Sequence, residues 1–441
     1  MARKFTFRGG ISSPSEKIKT ENLSIEELPA PPKIILPVSF SNDILVKSSI
    51  KRGDRVLLGQ LISDPNNPVT PPVYSSVSGT VISTGLIPSQ TGTQISGIEI
   101  ENDGTDECVQ LDPFEKSWRE SAPGELIKKI QSSGVIAMSG EGNALNLSPP
   151  SNKPIDTVII NGIGIESCLT SELRLMIERS DNFLTGVAIL KKILGAKRCL
   201  IGIREKNSSV IQALKTRLSD QKYKDISFSV IQMKYPQGHE KQLIETLINR
   251  EVPSGGQAED IGCAVFDVST AVAIFDSIIE GIPLYKRVVT VCGPAIKSPK
   301  NLSIRLGTPI RYLLEYCGID INAARKVVIG GPMTGLAQSN LDVPIIGNST
   351  GLYVYDKTVP PVREYPCINC GRCVAVCPIH LIPSKFAGLV EKNKIDEAAE
   401  WNMMDCTECG CCSYVCPSKV NIVHFVKLGK FHIEAKRAVA N

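Results

Sequence analysis

The feature that most constrains this chain is a pair of cysteine runs near its end, Cys367-Ile-Asn-Cys370-Gly-Arg-Cys373-Val-Ala-Val-Cys377-Pro378 and Cys406-Thr-Glu-Cys409-Gly-Cys411-Cys412-Ser-Tyr-Val-Cys416-Pro417. Both read Cx2Cx2Cx3CP. Three thiolates at this spacing wrap one side of an iron–sulfur cubane, while the fourth, followed by proline, reaches the cubane of the other run. The runs therefore predict two 4Fe-4S clusters, one on Cys367, Cys370, Cys373 and Cys416, the other on Cys406, Cys409, Cys412 and Cys377. Zinc sites also use CxxC pairs, but the third cysteine and the trailing Cys-Pro argue against zinc. Pro378 and Pro417 end the turn after the fourth ligand. Cys411 breaks the two-residue spacing and is expected as a thiol packed beside a cluster. His380 and His424 are expected as surface or packing residues, not ligands, because eight thiolates already complete both cubanes.

The other six of the fifteen cysteines are scattered singly. A disulfide framework belongs to small exported domains, whereas this chain has 441 residues and no apolar stretch behind its opening MARKFTFRGG, so a reducing, cytosolic address is expected. That length implies two to four domains. Hydrophobic residues at 42% and charged residues at 21% are the balance of a globular chain. A net charge of +4 without a basic stripe excludes nucleic acid as the evident partner. No apolar run reaches the ~20 residues of a membrane span. The least polar stretch, Ile261 to Ile279, is broken by Asp267 and Asp276 and reads as buried α/β core.

Between Pro37 and about Gly85, short β-rich segments alternate with tight turns. VKSSIKRGDRVLLGQLI followed by VYSSVSGTVIST is similar to the barrel-sandwich hybrid of biotinyl and lipoyl carriers, but has no lysine between Arg55 and Ile82 to modify, so a structural barrel is expected. From about Ser121 strands and helices alternate: ELIKKIQSSG as helix, IDTVIING as strand, SELRLMIER and NFLTGVAILKKILG as helices, CLIGI as strand, SSVIQALKTRLS as helix, FSVIQM as strand and KQLIETLINR as helix. This order predicts a layered α/β unit. A compact β-grasp-like unit is expected between Arg287 and Tyr355, with a helix near Pro309 to Tyr316; GGPMTG there lacks a phosphate-loop lysine and reads as a tight turn. The 28 residues from Pro378 to Asp405 separate the cysteine runs and carry helical spacing at Leu389, Ile395 and Ala399, so the cluster module is an α-helical ferredoxin.

In this order the parts resemble the C subunit of the Rnf complex, a membrane-bound ion-translocating oxidoreductase, over nearly the whole chain. FRGGISSP, LPAPPKIILPVS, KRGDRVLLGQ, PVYSSVSGTV, LSPPSNKPIDTVIIN, IGGPMTG and both cysteine runs carry the resemblance. It implies a multidomain α/β plus β fold: a barrel-sandwich hybrid over 1–120, a Rossmann-like domain similar to the complex I flavin subunit over 121–255, a β-grasp, SLBB-like domain over 256–355 and a two-cluster α-helical ferredoxin over 356–441. It also implies a peripheral protein on the cytoplasmic side of the cell membrane. Its partners would be the other Rnf components, namely the A, D, E and G proteins of the membrane part and the ferredoxin-like B protein, with ferredoxin as donor.

One site departs from the family pattern. Members carry a loop similar to Gly-Leu-Gly-Gly-Ala-x-Phe-Pro-Thr-x-x-Lys-Leu for FMN and NADH just before Ser-Pro-Pro; here the stretch is IAMSGEGNALNL. Glu141, Gly142 and Asn143 replace Phe-Pro-Thr, and Asn146 replaces the lysine. The run similar to Ala-Ala-Glu-Cys-Glu-Pro is also absent: Gly162-Ile-Gly164-Ile-Glu166-Ser167 retains only Glu166. A carboxylate in a phosphate pocket repels an anion. FMN and NAD are therefore doubtful, and the departure is similar to Rnf complexes of methanogenic archaea, in which electrons pass toward methanophenazine through a cytochrome c.

The expected function is electron transfer within a complex that translocates an ion, sodium by resemblance. Two alternatives stand beside it: an FMN-containing, NAD-reducing Rnf subunit, and a soluble partner of a dedicated reductase such as a cobalamin reductase. The C-terminal IVHFVKLGKFHIEAKRAVA places Lys427, Lys430, Lys436 and Arg437 among apolar residues, as a solvated helix weakened by Gly429 or a segment on the cytoplasmic leaflet.

Overall fold

A computed structural model describes residues 6–12, 20–38, 50–64, 70–114, 116–138, 145–148, 152–319, 323–357 and 363–440. Strand β1 (Ile25–Glu27) precedes a four-stranded antiparallel sheet of β2 (Lys33–Pro37), β3 (Arg55–Val56), β4 (Gly79–Pro88) and β5 (Gln94–Asn102), ordered β2-β5-β4-β3. Ile34 opposes Ile100 and Leu36 opposes Ile98, so the period-two pattern of both strands buries one face. Ile34, Val56, Ile62, Val77 and Ile100 are fully buried between this sheet and its connecting turns.

Helix α1 (Pro123–Ser132) leads into a parallel sheet in which β6 (Thr157–Asn161), α2 (Ser171–Glu178), α3 (Ser180–Ile193), β7 (Arg198–Arg204), α4 (Ser208–Leu218), β8 (Ile226–Ile231), α5 (Glu240–Ile248), β9 (Cys263–Asp267) and α6 (Val268–Phe275) follow one another. The strand order is β8-β7-β6-β9. All five residues of β6 are buried, as a central strand covered on both faces requires. Val158 and Ile160 pack with Phe183, Leu184 and Val187 of α3, whereas Ile159 meets Leu243 and Ile244 of α5 on the other face. Burying each such side chain contributes roughly 2 kcal/mol.

The chain builds outward from β6 and then returns to add β9 on the opposite side, so the sheet has a switch point between β6 and β9. The expected border at 255/256 therefore falls inside this sheet, because β9 pairs with β6 along its whole length. Sequence periodicity reports an apolar strand but not which neighbour it joins.

A six-stranded sheet follows, ordered β1-β11-β10-β14-β12-β13, from β10 (Lys286–Cys292), β11 (Lys300–Arg305), β12 (Ala324–Ile329), β13 (Leu336–Gln338) and β14 (Gly351–Asp356), with α7 (Ile310–Tyr316) over one face. Its edge is β1, parallel to β11, although β1 lies within the residues expected for the barrel. Val289, Val291, Leu302, Leu313, Leu352 and Val354 fill its core.

The last part is helical: α8 (Arg372–Ala375), α9 (Pro383–Glu391), α10 (Ile395–Glu400), α11 (Cys411–Val415) and α12 (Ile422–Ala440). The long spacer between the cysteine runs is thus α9 and α10, which bury Phe386, Val390, Ile395 and Ala398 against Ile422, Val426 and Ile433 of α12. Ala399, expected on the buried face, is only half-buried, and Ala398 takes that position. Gly429 does not interrupt α12; it lets Met403 and Val390 pack directly on the helix backbone. Lys427 and Lys430 pair with Glu408, and Lys436 with Asp396, so three of the four basic residues expected to face a leaflet or solvent are engaged within this part. Among the described residues no helix is long and apolar enough to cross a membrane.

Candidate iron–sulfur centres and the adjoining loop

The two cysteine runs fold alike. Asn369, Gly371 and His380 have positive φ of 53°, 74° and 59°, and Glu408, Gly410 and Lys419, each 39 positions later, have 53°, 82° and 57°. A left-handed residue inside each CxxC turns its amide toward the first thiol: Asn369 N–H donates to Cys367 Sγ at 3.5 Å, and Glu408 N–H to Cys406 Sγ at 3.4 Å. Leu381 N–H, just after left-handed His380, donates to Cys377 Sγ at 3.3 Å. Amide donors to ligand sulfurs are one means by which a protein raises a cluster's reduction potential.

A cavity of about 500 Å³ is lined by Cys367, Cys370, Cys373 and Cys416, together with Tyr365 and Ile368. A second, smaller cavity is lined by Cys377, Cys406, Cys409 and Cys412, with Cys411 beside them. Each expected quartet thus meets at one cavity, including the fourth cysteine contributed by the other run. Among the described residues no three His, Cys, Asp or Glu side chains gather as a single ion would require. His380 and His424 line neither cavity and are exposed.

The outer and inner cavities differ in cover. Cys367 and Cys370 are exposed. The inner quartet lies beneath three segments from elsewhere in the chain. Tyr235, in the loop after β8, donates its hydroxyl to Cys409 O at 2.7 Å in a buried contact. Gly10 N–H donates to Val376 O at 2.8 Å, and Ile11 pairs with Tyr235, so the N-terminal stretch runs between the α/β sheet and the helical part. Gly9 has φ of +82°, and a Cβ there would lie 2.6 Å from Cys377 O. From the third side Met333 packs over Gly410. Cys411 is fully buried in this junction with Ile11, Tyr235 and Met333. Sequence reasoning left these three segments without a role, although the adjacent glycines of Phe7-Arg-Gly-Gly-Ile11 were a signal of close backbone approach.

The adjoining loop is where a flavin phosphate would sit in such a sheet, at the switch point and at a helix N-terminus. Glu141 and Asn143 lie outside the described residues. Asn146 is exposed, with its amide 3.4 Å from Glu259 Oε1, and Gly164, φ +74°, follows β6. Before the loop, Met138 N–H donates to Thr270 Oγ1 at 3.2 Å, which sets this stretch against the start of α6.

The start of α6 is already filled by carboxylates. Asp267 Oδ1 accepts from Thr270 N–H at 2.6 Å, and Glu172 accepts from Ser269 N–H at 2.8 Å and from the Ser269 hydroxyl. Burial, reinforced by the charge of Asp267, pushes the Glu172 carboxyl up to about 7. Arg287, 3% exposed, lies near both acids without hydrogen bonding to them. Two N–H groups at this helix start, those of Ser269 and Thr270, are thus taken by carboxylates, which would repel a phosphate placed there.

Comparison with known proteins agrees with the architecture. Residues 5–105 match the RnfC barrel sandwich hybrid domain, 130–276 the Nuo51 FMN-binding domain, 288–337 the SLBB domain and 366–420 the 4Fe-4S dicluster domain. The chain is 39% identical to the C subunit of the proton-translocating ferredoxin:NAD(+) oxidoreductase complex of Clostridium ljungdahlii, over 96% of this chain and 93% of that one. It is 36% identical to the C subunit of the Na(+)-translocating ferredoxin:NAD(+) oxidoreductase complex of Acetobacterium woodii, over 99% of both. It is 32% identical to the C subunit of the ion-translocating oxidoreductase complex of Pseudomonas aeruginosa, over 99% of this chain but 57% of that longer one. The fold is similar to that of an NAD+-reducing [NiFe]-hydrogenase in the H2-reduced state, with a TM-score of 0.50 at 14% identity over 71% of this chain and 63% of the other. The sequence, the fold and these relatives together make the chain a member of the RnfC family, the C subunits of Rnf, or ion-translocating oxidoreductase, complexes.

Proposed function

We propose that this chain is the iron–sulfur electron-transfer subunit of a membrane-associated, ion-translocating oxidoreductase complex. One 4Fe-4S cluster would be held by Cys367, Cys370, Cys373 and Cys416, the other by Cys377, Cys406, Cys409 and Cys412. The observation that carries this reading is that each quartet lines one cavity. Such clusters accept and release single electrons when bound. The exposed ligands Cys367 and Cys370 make the outer site the one a partner reaches, and the inner site the one Tyr235, Gly10 and Met333 shield.

The proposed setting is the cytoplasmic face of the membrane, with the A, D, E and G proteins of the membrane part, the ferredoxin-like B protein and ferredoxin as partners and sodium as the coupling ion. The four-part division of the chain is retained, with β9 and α6 assigned to the Rossmann-like part. Hydride chemistry on NAD requires a carrier that splits an electron pair, a role flavins fill. Asp267 and Glu172 stand against a flavin phosphate here, so the acceptor would be a one-electron carrier such as a cytochrome c on the way to methanophenazine.

A second reading has a specific observation in its favour. Residues 130–276 match an FMN-binding domain, and the Clostridium and Acetobacterium relatives are named for ferredoxin:NAD(+) oxidoreductase complexes. Anaerobic purification separates the readings. About eight iron and eight labile sulfide per chain are expected, with no stoichiometric FMN and no bleaching of the clusters by NADH. Stoichiometric zinc with little sulfide would defeat the cluster assignment; one FMN per chain, or rapid reduction by NADH, would establish the NAD-linked reading.

A further inference from the structure

Glu166 is the one acid kept from the family run after β6, and its surroundings give it a different task from binding a nucleotide. It is 3% exposed. Its Oε1 accepts three hydrogen bonds from the turn after β12: Met333 N–H at 3.1 Å, Thr334 N–H at 2.7 Å and the Thr334 hydroxyl at 2.8 Å. Among the described residues its Oε2 is buried with no partner. Gly331 lies so close that a Cβ there would sit 2.2 Å from the carboxyl carbon, so the side chain is fixed in place.

The turn that Glu166 grips is the one that covers the inner cysteine site. Met333 O lies 3.0 Å from the position a Gly410 Cβ would take, and Gly410 follows Cys409. Tyr235, whose hydroxyl donates to Cys409 O, lies within the field of the Glu166 carboxylate and so links it to the same site. In a dry interior a charge at this separation is weakly screened, so a charge gained on one side changes the energy of a charge on the other.

Among the described residues, the other groups facing this carboxylate leave it uncompensated. Arg204, on β7, donates to the carbonyls of Ile163, Glu166 and Ser167, and so holds the backbone of the loop without pairing with the side chain. The Tyr235 hydroxyl is committed to Cys409 O. His239, packed edge-on against Tyr235, is held neutral by burial, which pulls it down to about 4. The turn after β12 contributes only neutral donors. Burial accordingly raises the Glu166 carboxyl above its ordinary value against the pull of its three hydrogen bonds.

We propose that Glu166 is the proton partner of the inner cluster: when the cluster on Cys377, Cys406, Cys409 and Cys412 gains an electron, the Glu166 carboxylate binds a proton from solvent at Oε2, and it releases that proton when the electron leaves. The electron comes from the redox partner of the complex and the proton from water, so the charge added to the junction is cancelled within it. This rests on the cluster assignment above.

The test is a potentiometric titration, read by electron paramagnetic resonance, of the full-length protein with both clusters loaded, at a series of pH values, for the wild type and Glu166→Gln. In the wild type, at fixed applied potential, the reduced-to-oxidised ratio of one cluster should fall by up to about tenfold per pH unit as pH rises across a window. In Glu166→Gln that ratio should not change with pH. Thr334→Val removes a hydrogen bond that favours the ionised form, and should move the window to higher pH. A pH-independent wild type, or an equal slope in Glu166→Gln, overturns the proposal. Iron content separates the outcomes: a wild type without two clusters defeats the assignment beneath it, whereas iron lost only in Glu166→Gln is a folding failure, and Thr334→Val then decides.

Discussion

The hydroxyl of Tyr235 and the carbonyl of Cys409, 174 positions apart, are joined by a buried 2.7 Å hydrogen bond that fastens the α/β sheet to the loop of the inner cysteine quartet. Tyr235→Phe keeps the ring and leaves that carbonyl unpaired, at a cost of about 1–3 kcal/mol. The variant should melt at lower temperature and lose iron to a chelator faster from the inner cluster than from the outer. Equal release from both clusters would mean that the bond does not secure the inner site.

Gly9→Ala should be far more damaging than Gly53→Ala. Both residues have positive φ, at 82° and 92°, so both substitutions carry backbone strain of roughly 1 kcal/mol. Only at Gly9 does the new Cβ strike backbone, 2.6 Å from Cys377 O, whereas among the described residues nothing lies within 4 Å at Gly53. Iron content and thermal melting of the two variants measure the difference; similar losses would show that the clash is relieved without moving Cys377.

Cys377→Ala should destroy the cluster nucleated by Cys406, Cys409 and Cys412, not the one nucleated by its own run, because it lines their cavity. Paramagnetic resonance of the reduced protein distinguishes the two signals. Loss confined to the cluster of Cys367 would refute cross-ligation.

Stability should depend on pH through Glu172. Its carboxyl is raised from 4.5 to about 7, so between these values the folded chain binds more protons than the unfolded chain. The contribution of Glu172 is then fully present below pH 4.5 and is lost as pH rises to about 7, by up to roughly 3 kcal/mol, while His239, pulled down to about 4, contributes with the opposite sign over the same range. Glu172→Gln should remove the falling contribution alone, so its melting temperature should rise more steeply with pH across this range than that of the wild type, whatever its effect on absolute stability through Arg287. An unchanged pH slope would place the proton elsewhere.

Much of this was legible in sequence. The spacing of Cys367 to Cys416 sorted the cysteines into the two groups that each line one cavity, and the apolar periods around Ile159, Val187 and Ile201 marked strands and a helix of the α/β part. These signals are local, set by ligand reach and by the 2.0 and 3.6 repeats. What escaped was contact between distant stretches: β1 joining β11, β9 joining β6, and Tyr235, Gly9 and Met333 meeting over the inner site. The carboxylates at the start of α6 escaped for the same reason, since Glu172 and Asp267 become neighbours only when α2 packs beside the start of α6.

The passage of Phe7 to Ile11 beneath Cys377 also ties the two sides of the junction to one strap. Ile11 is bridged to Tyr235, and Lys234 donates to Phe7 O, on the α/β side, while Gly10 N–H donates to Val376 O on the ferredoxin side. A few residues of one short stretch thus serve both neighbours, and a disturbance on either side is carried directly to the other.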